Sequence, residues 1–188
     1  MDRISPKFIE KSGVYSEEEI VLLKDEISFK QLKKHDFILK PGDVCSSLIY
    51  IVEGAIYQYK IDTDLEKNVL DLNIAHDWVI DKDSFTSRGA SNLYIEAFDD
   101  CLIYELSIES IHALIAKSQS FLQLGKAFGE VSSRLNFFDN NLSPDEKYVY
   151  LQEHKPELLQ KFPLKLIASY LKITPETLSR VRHRFFKS

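Results

Sequence analysis

The residues best suited to chemistry crowd the end of the chain. Positions 161–188 carry Lys161, Lys165, Lys172, Arg180, Arg182, Arg184 and Lys187 against one acid, Glu176, a local balance of +6. The full 188 residues hold 24 basic and 29 acidic residues, net −5, which leaves −11 on everything before residue 161. Wound as a helix at about 100° per residue, positions 175–187 sort into two stripes. Leu178, Val181 and Phe185 form the apolar stripe; Glu176, Ser179, Arg180, His183, Arg184 and Lys187 form the polar one. Those side chains suit the major groove of a DNA duplex. Arg can bridge two acceptors on guanine, Glu can accept from the cytosine amino group, and Ser or Lys can hold phosphates. The plainer alternative is a pair of helices with a solvated basic face. It gives no reason for basic residues to gather beside a capped turn.

The elements that position this stripe are legible. Two helices, 164–171 and 175–186, are split by Lys172-Ile173-Thr174, with Thr174 as N-cap and Pro175 as first helical residue. The apolar stripe is expected to pack on Ile167 and Leu171, with Ala168 small enough for close approach. Upstream, Ser143-Pro144-Asp145-Glu146 starts a helix over 144–154, and further breaks fall at Pro156 and Phe162-Pro163. Before that, Phe121, Leu124, Phe128, Val131, Leu135 and Phe138 alternate spacings of three and four. This is a heptad seam. It fits either a dimer contact or a helix packed inside its own domain, and the dimer seam is the expectation taken forward.

The first two-thirds read differently. Ser16 and Glu19 make a capping box for a helix over 16–29. From about 31 to 107, short β-branched and aromatic runs (37–39, 48–52, 55–61, 68–74, 78–80, 93–98, 101–106) are separated by turn signals such as Pro41-Gly42-Asp43 and Glu53-Gly54. Many short strands at this spacing predict an antiparallel roll, sandwich or barrel. A short helix follows over 108–116.

Other chemistry is poorly supported. The five histidines, His35, His76, His112, His154 and His183, form no metal or nucleophile motif, and Asp81 with Asp83 is too few carboxylates for a cation site. Cys45 and Cys101 are too few for a disulfide framework or a cluster and read as core thiols. No apolar run approaches the ~18–20 residues of a membrane helix, and the N-terminus carries no secretory pattern. A cytoplasmic protein that is not an enzyme, with no metal and no cofactor, is expected.

Residues 162–182, FPLKLIASYLKITPETLSRVR, resemble the helix-turn-helix of the Crp/Fnr family of bacterial transcription regulators, with Glu176, Ser179 and Arg180 matching its Glu-x-x-Ser-Arg core. Leu39-Lys-Pro-Gly-Asp and Ile51-Val-Glu-Gly-Ala are similar to that family's cyclic-nucleotide-binding-like β-roll. The resemblance implies an α+β fold: an N-terminal antiparallel, jelly-roll-like β-roll (1–116), a dimerisation helix (117–141), and a C-terminal, winged-helix-like DNA-binding unit (142–188). The chain ends two residues after Phe186, which leaves little to form a wing behind the last helix. It further implies a homodimer on a pseudo-palindromic operator, contact with RNA polymerase, and a small-molecule effector. The DNA-contacting candidates are Thr174, Glu176, Thr177, Ser179, Arg180, His183, Arg184 and Lys187. The alternative is a ligand-sensing or scaffold roll without specific DNA binding.

Two departures stand out. The turn position usually held by Gly is Lys172; a left-handed backbone there would cost on the order of 1 kcal/mol, so the turn is either slightly strained or differently shaped. Where cyclic-AMP-binding members carry a Gly-Glu pair and an arginine, this chain aligns Ile80-Asp81 and Ser91. A phosphodiester needs a cation or a nest of N–H groups, so the effector is expected to differ from cyclic AMP. The candidate effector pocket is Asp81, Ser84, Arg88, Ser91 and Asn92, with Arg88 a substitute only if its loop folds back.

Overall fold

The computed structural model describes residues 4–137 and 142–186, and for 133–137 and 186 the backbone alone. Eight strands among these residues form two four-stranded sheets, every pairing antiparallel. One sheet runs β1 (Ser28–Leu32), β8 (Cys101–Ser107), β3 (Ser47–Glu53), β6 (Trp78–Val79). The other runs β2 (Phe37–Leu39), β7 (Tyr94–Ala97), β4 (Ala55–Ile61), β5 (Lys67–Ile74). The β3–β4 corner turns on Gly54, whose φ of +97° disfavours other residues; a Cβ there would sit 2.5 Å from the Asp100 carbonyl oxygen.

Helices pack around this roll: α1 (Pro6–Ser12), α2 (Glu17–Glu26), α3 (Lys82–Ser87) and α4 (Ile108–Lys117). The Ser16 capping box is complete, but its helix stops at Glu26. Residues 28–32 pair with β8 as an edge strand instead. They lie mostly exposed, so no alternation of apolar and polar residues marked them. Both α1 and α3 are shorter than two turns, too short to show a helical period. Phe8 of α1 is fully buried, edge-on to Tyr50 at 5.1 Å and Tyr104 at 5.2 Å.

The heptad segment is a 3₁₀ stretch, Gln119–Gly125, followed by α5 (Lys126–Phe137). The described part of its seam turns inward. Phe121, Leu124 and Val131 are buried in the chain's own roll core together with Ala127. Phe121 stacks on Tyr15 at 5.2 Å, and half-buried Phe128 lies 5.4 Å from Phe85. The dimer-seam expectation is therefore corrected for Phe121, Leu124 and Val131, which the chain's own core encloses. Heptad spacing shows that one helix face is apolar, and the roll supplies the surface that buries it. Leu135 lies where only backbone is described, and Phe138 lies outside the described residues. The face turned away from the roll exposes Leu122, Gly125, Lys126 and Gly129.

After residue 142 the described chain is helical: α6 (Pro144–His154), α7 (Pro156–Lys161), α8 (Leu164–Tyr170) and α9 (Pro175–Phe186). No strand is present there among the described residues, so a wing is not seen. These helices share a second core with the outer face of the β2-β7-β4-β5 sheet: Tyr57, Tyr59, Val69 and Leu72 join Leu151, Leu158, Phe162, Ile167 and Leu171. Strand alternation explains the division, because Ala55, Tyr57 and Tyr59 point out while Ile56 and Gln58 point in. The C-terminal unit is thus seated directly on the roll.

Candidate functional site

The junction of α8 and α9 forms as its residues predict. The Ile173 N–H donates to the Ala168 carbonyl at 3.0 Å and the Lys172 N–H to the Ser169 carbonyl at 3.0 Å. This is a Schellman closure. It places Lys172 at φ 55°, in the left-handed region, so of the two alternatives the turn takes the strained one. Thr174 caps α9, its hydroxyl accepting from the Thr177 N–H at 3.2 Å. Leu178 and Val181 are buried in one cluster with Ile167, Ala168 and Leu171. Phe185, expected in the same stripe, is 40% exposed and lies 5.8 Å from the Tyr148 ring.

The polar stripe is presented to solvent. Thr174, Glu176, Ser179, Arg180, His183 and Arg184 are exposed, and Thr177 is half-buried. Arg180 is steered by a 3.4 Å hydrogen bond to the Thr177 hydroxyl. Arg184 differs: its guanidinium grips both carboxylate oxygens of Asp145 at 2.6 Å, so it enters any interface already paired. Lys187 lies outside the described residues.

The basic concentration divides in two. Lys161 pairs with Asp99, and Lys165 pairs with Glu66 at 2.6 Å. Both acids belong to the roll, so these lysines fasten the unit to it. Lys155 adds a bidentate contact to Asp77 at 2.9 Å, with Asp77 buried. The Ser169 hydroxyl accepts from the Val69 N–H at 2.9 Å. Sequence reasoning missed this docking, because acids and bases 62 to 99 positions apart carry no periodic signal.

Beneath the docked helices, Tyr57, Tyr59 and Tyr94 stack at 5.0 Å intervals. Lys67 lies over the first two rings, 4.7 and 4.2 Å from their centroids. The Glu96 carboxylate closes the group, accepting from the Tyr59 hydroxyl at 2.7 Å and from Lys67 at 3.1 Å, with His35 Nδ1 at 2.8 Å. Burial pushes its pKa up, but hydrogen bonds from Tyr59, His35, Tyr57 and Lys67 outweigh that and hold it at about 2.

The roll carries a cleft of about 450 Å³ lined by β4, β5, α3, the α3–β7 loop and Ser132 of α5. Asp81, Ser84, Ser91 and Asn92 line it together; Arg88 does not. Arg88 caps the end of α3 in a left-handed conformation, φ 58°, is exposed, and reaches the Cys45 carbonyl at 3.3 Å. The fold-back that would place it as a phosphate partner does not occur. Asp81 instead meets the residue at the arginine position: the Ser91 hydroxyl donates to its carboxylate at 2.6 Å, and the Ser84 N–H at 3.2 Å.

The two cysteines lie in the core. Burial pushes the Cys45 thiol up and the Cys101 thiol up to about 11, so both are protonated near neutrality. Among the described residues no three His, Cys, Asp or Glu are placed to hold a metal ion, and no helix is long and apolar enough to cross a membrane.

Comparison with known proteins places this geometry. Residues 29–118 match the family described as cyclic nucleotide-binding domain. No curated protein sequence matches the chain. Among solved structures, a variant of CooA from Carboxydothermus hydrogenoformans superposes with a TM-score of 0.67 at 16% identity, over 100% of this chain and 86% of that one. The catabolite activator protein of Thermus thermophilus gives 0.57 at 18% identity, over 97% and 87%. A structure from Eubacterium rectale, described as a regulator of the Crp/Fnr family, gives 0.59 at 16% identity, over 92% and 84%. Residues 29–118 are thus similar to the cyclic nucleotide-binding domain family, and the chain as a whole shares the fold of these solved structures.

Proposed function

We propose that this chain is a sequence-specific DNA-binding transcription regulator of Crp/Fnr type, acting as a homodimer under an effector other than cyclic AMP. The observation that carries the reading is the α9 surface. Glu176, Ser179, Arg180 and His183 are exposed on one stripe while Leu178 and Val181 anchor the opposite one. A helix held by a second, shorter helix through a tight turn can enter a major groove with its N-terminal residues foremost. In this reading α8–α9 is a helix-turn-helix, Arg180 reads guanine, Glu176 reads cytosine, and Thr174 and Thr177 touch the backbone.

The dimer contact belongs to the outward face of the α5 segment, since its other face is used by the roll. Gly125 and Gly129 meet no other residue within 4 Å of where a Cβ would stand, which leaves room for a second helix to approach. The effector reading follows from Asp81 and Ser91, which offer a phosphate a carboxylate and a hydroxyl instead of a cation. An electrophoretic shift with the full chain and its own upstream DNA tests the function. Binding retained against excess unrelated DNA supports it; binding indifferent to sequence, or none at low salt, overturns it.

A further inference from the structure

We infer that the roll cleft is a site for a small zwitterion, a ligand of amino-acid to dipeptide size bearing both an ammonium and a carboxylate. The inference rests on reading the roll as an effector domain, and it does not depend on DNA binding.

Three groups on the cleft wall are incompletely matched by the protein itself. The first is Asp81. The residue is 6% exposed, and among the described residues its carboxylate accepts only the Ser91 hydroxyl and the Ser84 N–H and pairs with no Lys, Arg or His. A buried carboxylate without a cation is costly, and the open side of this one faces a cleft. The second is Gln58 on β4. It is 1% exposed, and its amide nitrogen donates to nothing. Gln58 lines the cleft, so a ligand acceptor reaching this nitrogen as the wall adjusts would satisfy a donor the protein leaves unmatched. The third is Lys60, two residues further along the same strand and therefore on the same face. It is half-buried in the cleft lining and has no acidic partner among the described residues.

These groups present opposite chemistry. Asp81 takes a cation or a donor. Gln58 and Lys60, neighbours on one strand face, take an anionic acceptor. The other two charges of the lining are committed or peripheral: Lys82 donates to the Ser132 hydroxyl at 2.9 Å, and Asp83 is exposed at the rim. A phosphodiester would meet Asp81 and Ser91 where it needs a cation. A simple amine would leave Lys60 and Gln58 unmatched, and a simple acid would leave Asp81 unmatched. A ligand with an ammonium at one end and a carboxylate at the other matches all three. The cleft volume of about 450 Å³ admits one such molecule.

The test is isothermal titration of the full chain, without DNA, against the twenty amino acids, glycyl dipeptides, and cyclic AMP and cyclic GMP. Saturable binding of at least one zwitterion, one per chain, is expected, with no heat from the cyclic nucleotides. Lys60→Met should weaken it roughly 10-fold or more, the size of one charge-assisted hydrogen bond. The carboxyl-amidated form of the same ligand should lose a similar factor on the native chain and little further on Lys60→Met. Asp81→Asn keeps the α3 cap and should weaken binding comparably. No binding by any zwitterion, binding of a cyclic nucleotide instead, or an affinity indifferent to Lys60→Met each overturns the site. None of these outcomes bears on whether α9 reads DNA.

Discussion

Replacing Leu124 with alanine separates the two roles open to the heptad face. Leu124 is 2% exposed within a core shared with Phe121, Ala127 and Val131. Truncating a leucine so enclosed removes its transfer free energy and leaves a cavity, for a loss of about 2–5 kcal/mol. Domains are stable by only ~5–15 kcal/mol, so the urea midpoint should fall by a large fraction. If the residue served a dimer contact, the loss would depend on protein concentration and the variant would sediment as a smaller species. With the residue inside the subunit, urea curves at concentrations tenfold apart should shift equally from their native counterparts. The sedimentation coefficient in buffer should be unchanged. A variant with native unfolding behaviour that sediments as a monomer would refute the assignment of this face to the roll. Its complement is Leu122→Glu on the exposed face, which should yield monomers, with any loss of stability dependent on protein concentration.

Further outcomes follow from particular contacts. Lys172→Gly removes a left-handed strain of about 1–2 kcal/mol but loosens the unfolded chain; the net should be a gain on the order of 0.5–1 kcal/mol, read from urea unfolding, and a loss would show that the lysine side chain holds the turn. Glu96 is held near 2 in the folded state, below the ~4.3 of an unfolded glutamate. Its contribution is therefore complete above the unfolded value and is lost as pH falls from about 4.3 towards 2. Stability measured across that window should decline less in Glu96→Gln than in the native chain; equal slopes would mean other carboxylates carry the loss. Asp77→Asn breaks the bidentate Lys155 contact that ties the C-terminal unit to the roll. The urea midpoint should fall, and no change would mean the apolar seat suffices alone.

The parts of the molecule that could be read from the sequence share a cause: each was set by local chemistry. Ser143 with Glu146 and Thr174 with Pro175 marked helix starts that the backbone adopts. Lys172 in place of glycine marked a strained turn residue, found at φ 55°. The α9 stripe followed from helical period alone. What could not be read depended on partners distant in sequence. The spacing of Phe121, Leu124 and Val131 could not say which surface buries them. The charges of Lys161 and Lys165 could not reveal that Asp99 and Glu66 already answer them. Arg88 lies seven residues from Asp81, yet the left-handed end of α3 turns it from the cleft. Gln58 lay in an alternating strand with nothing to mark it; only the cleft makes its unpaired amide visible.

The central claim, that α9 reads base sequence, is tested most directly by Arg180→Ala. The measurement is competition anisotropy on a duplex selected from random sequence, with each base pair varied in turn. Two half-sites about 34–36 Å apart are expected, with a loss of roughly 1–3 kcal/mol of discrimination confined to one base pair in each. An Arg180→Ala variant that binds all duplexes more weakly by one common factor, with its base preferences intact, would contradict it.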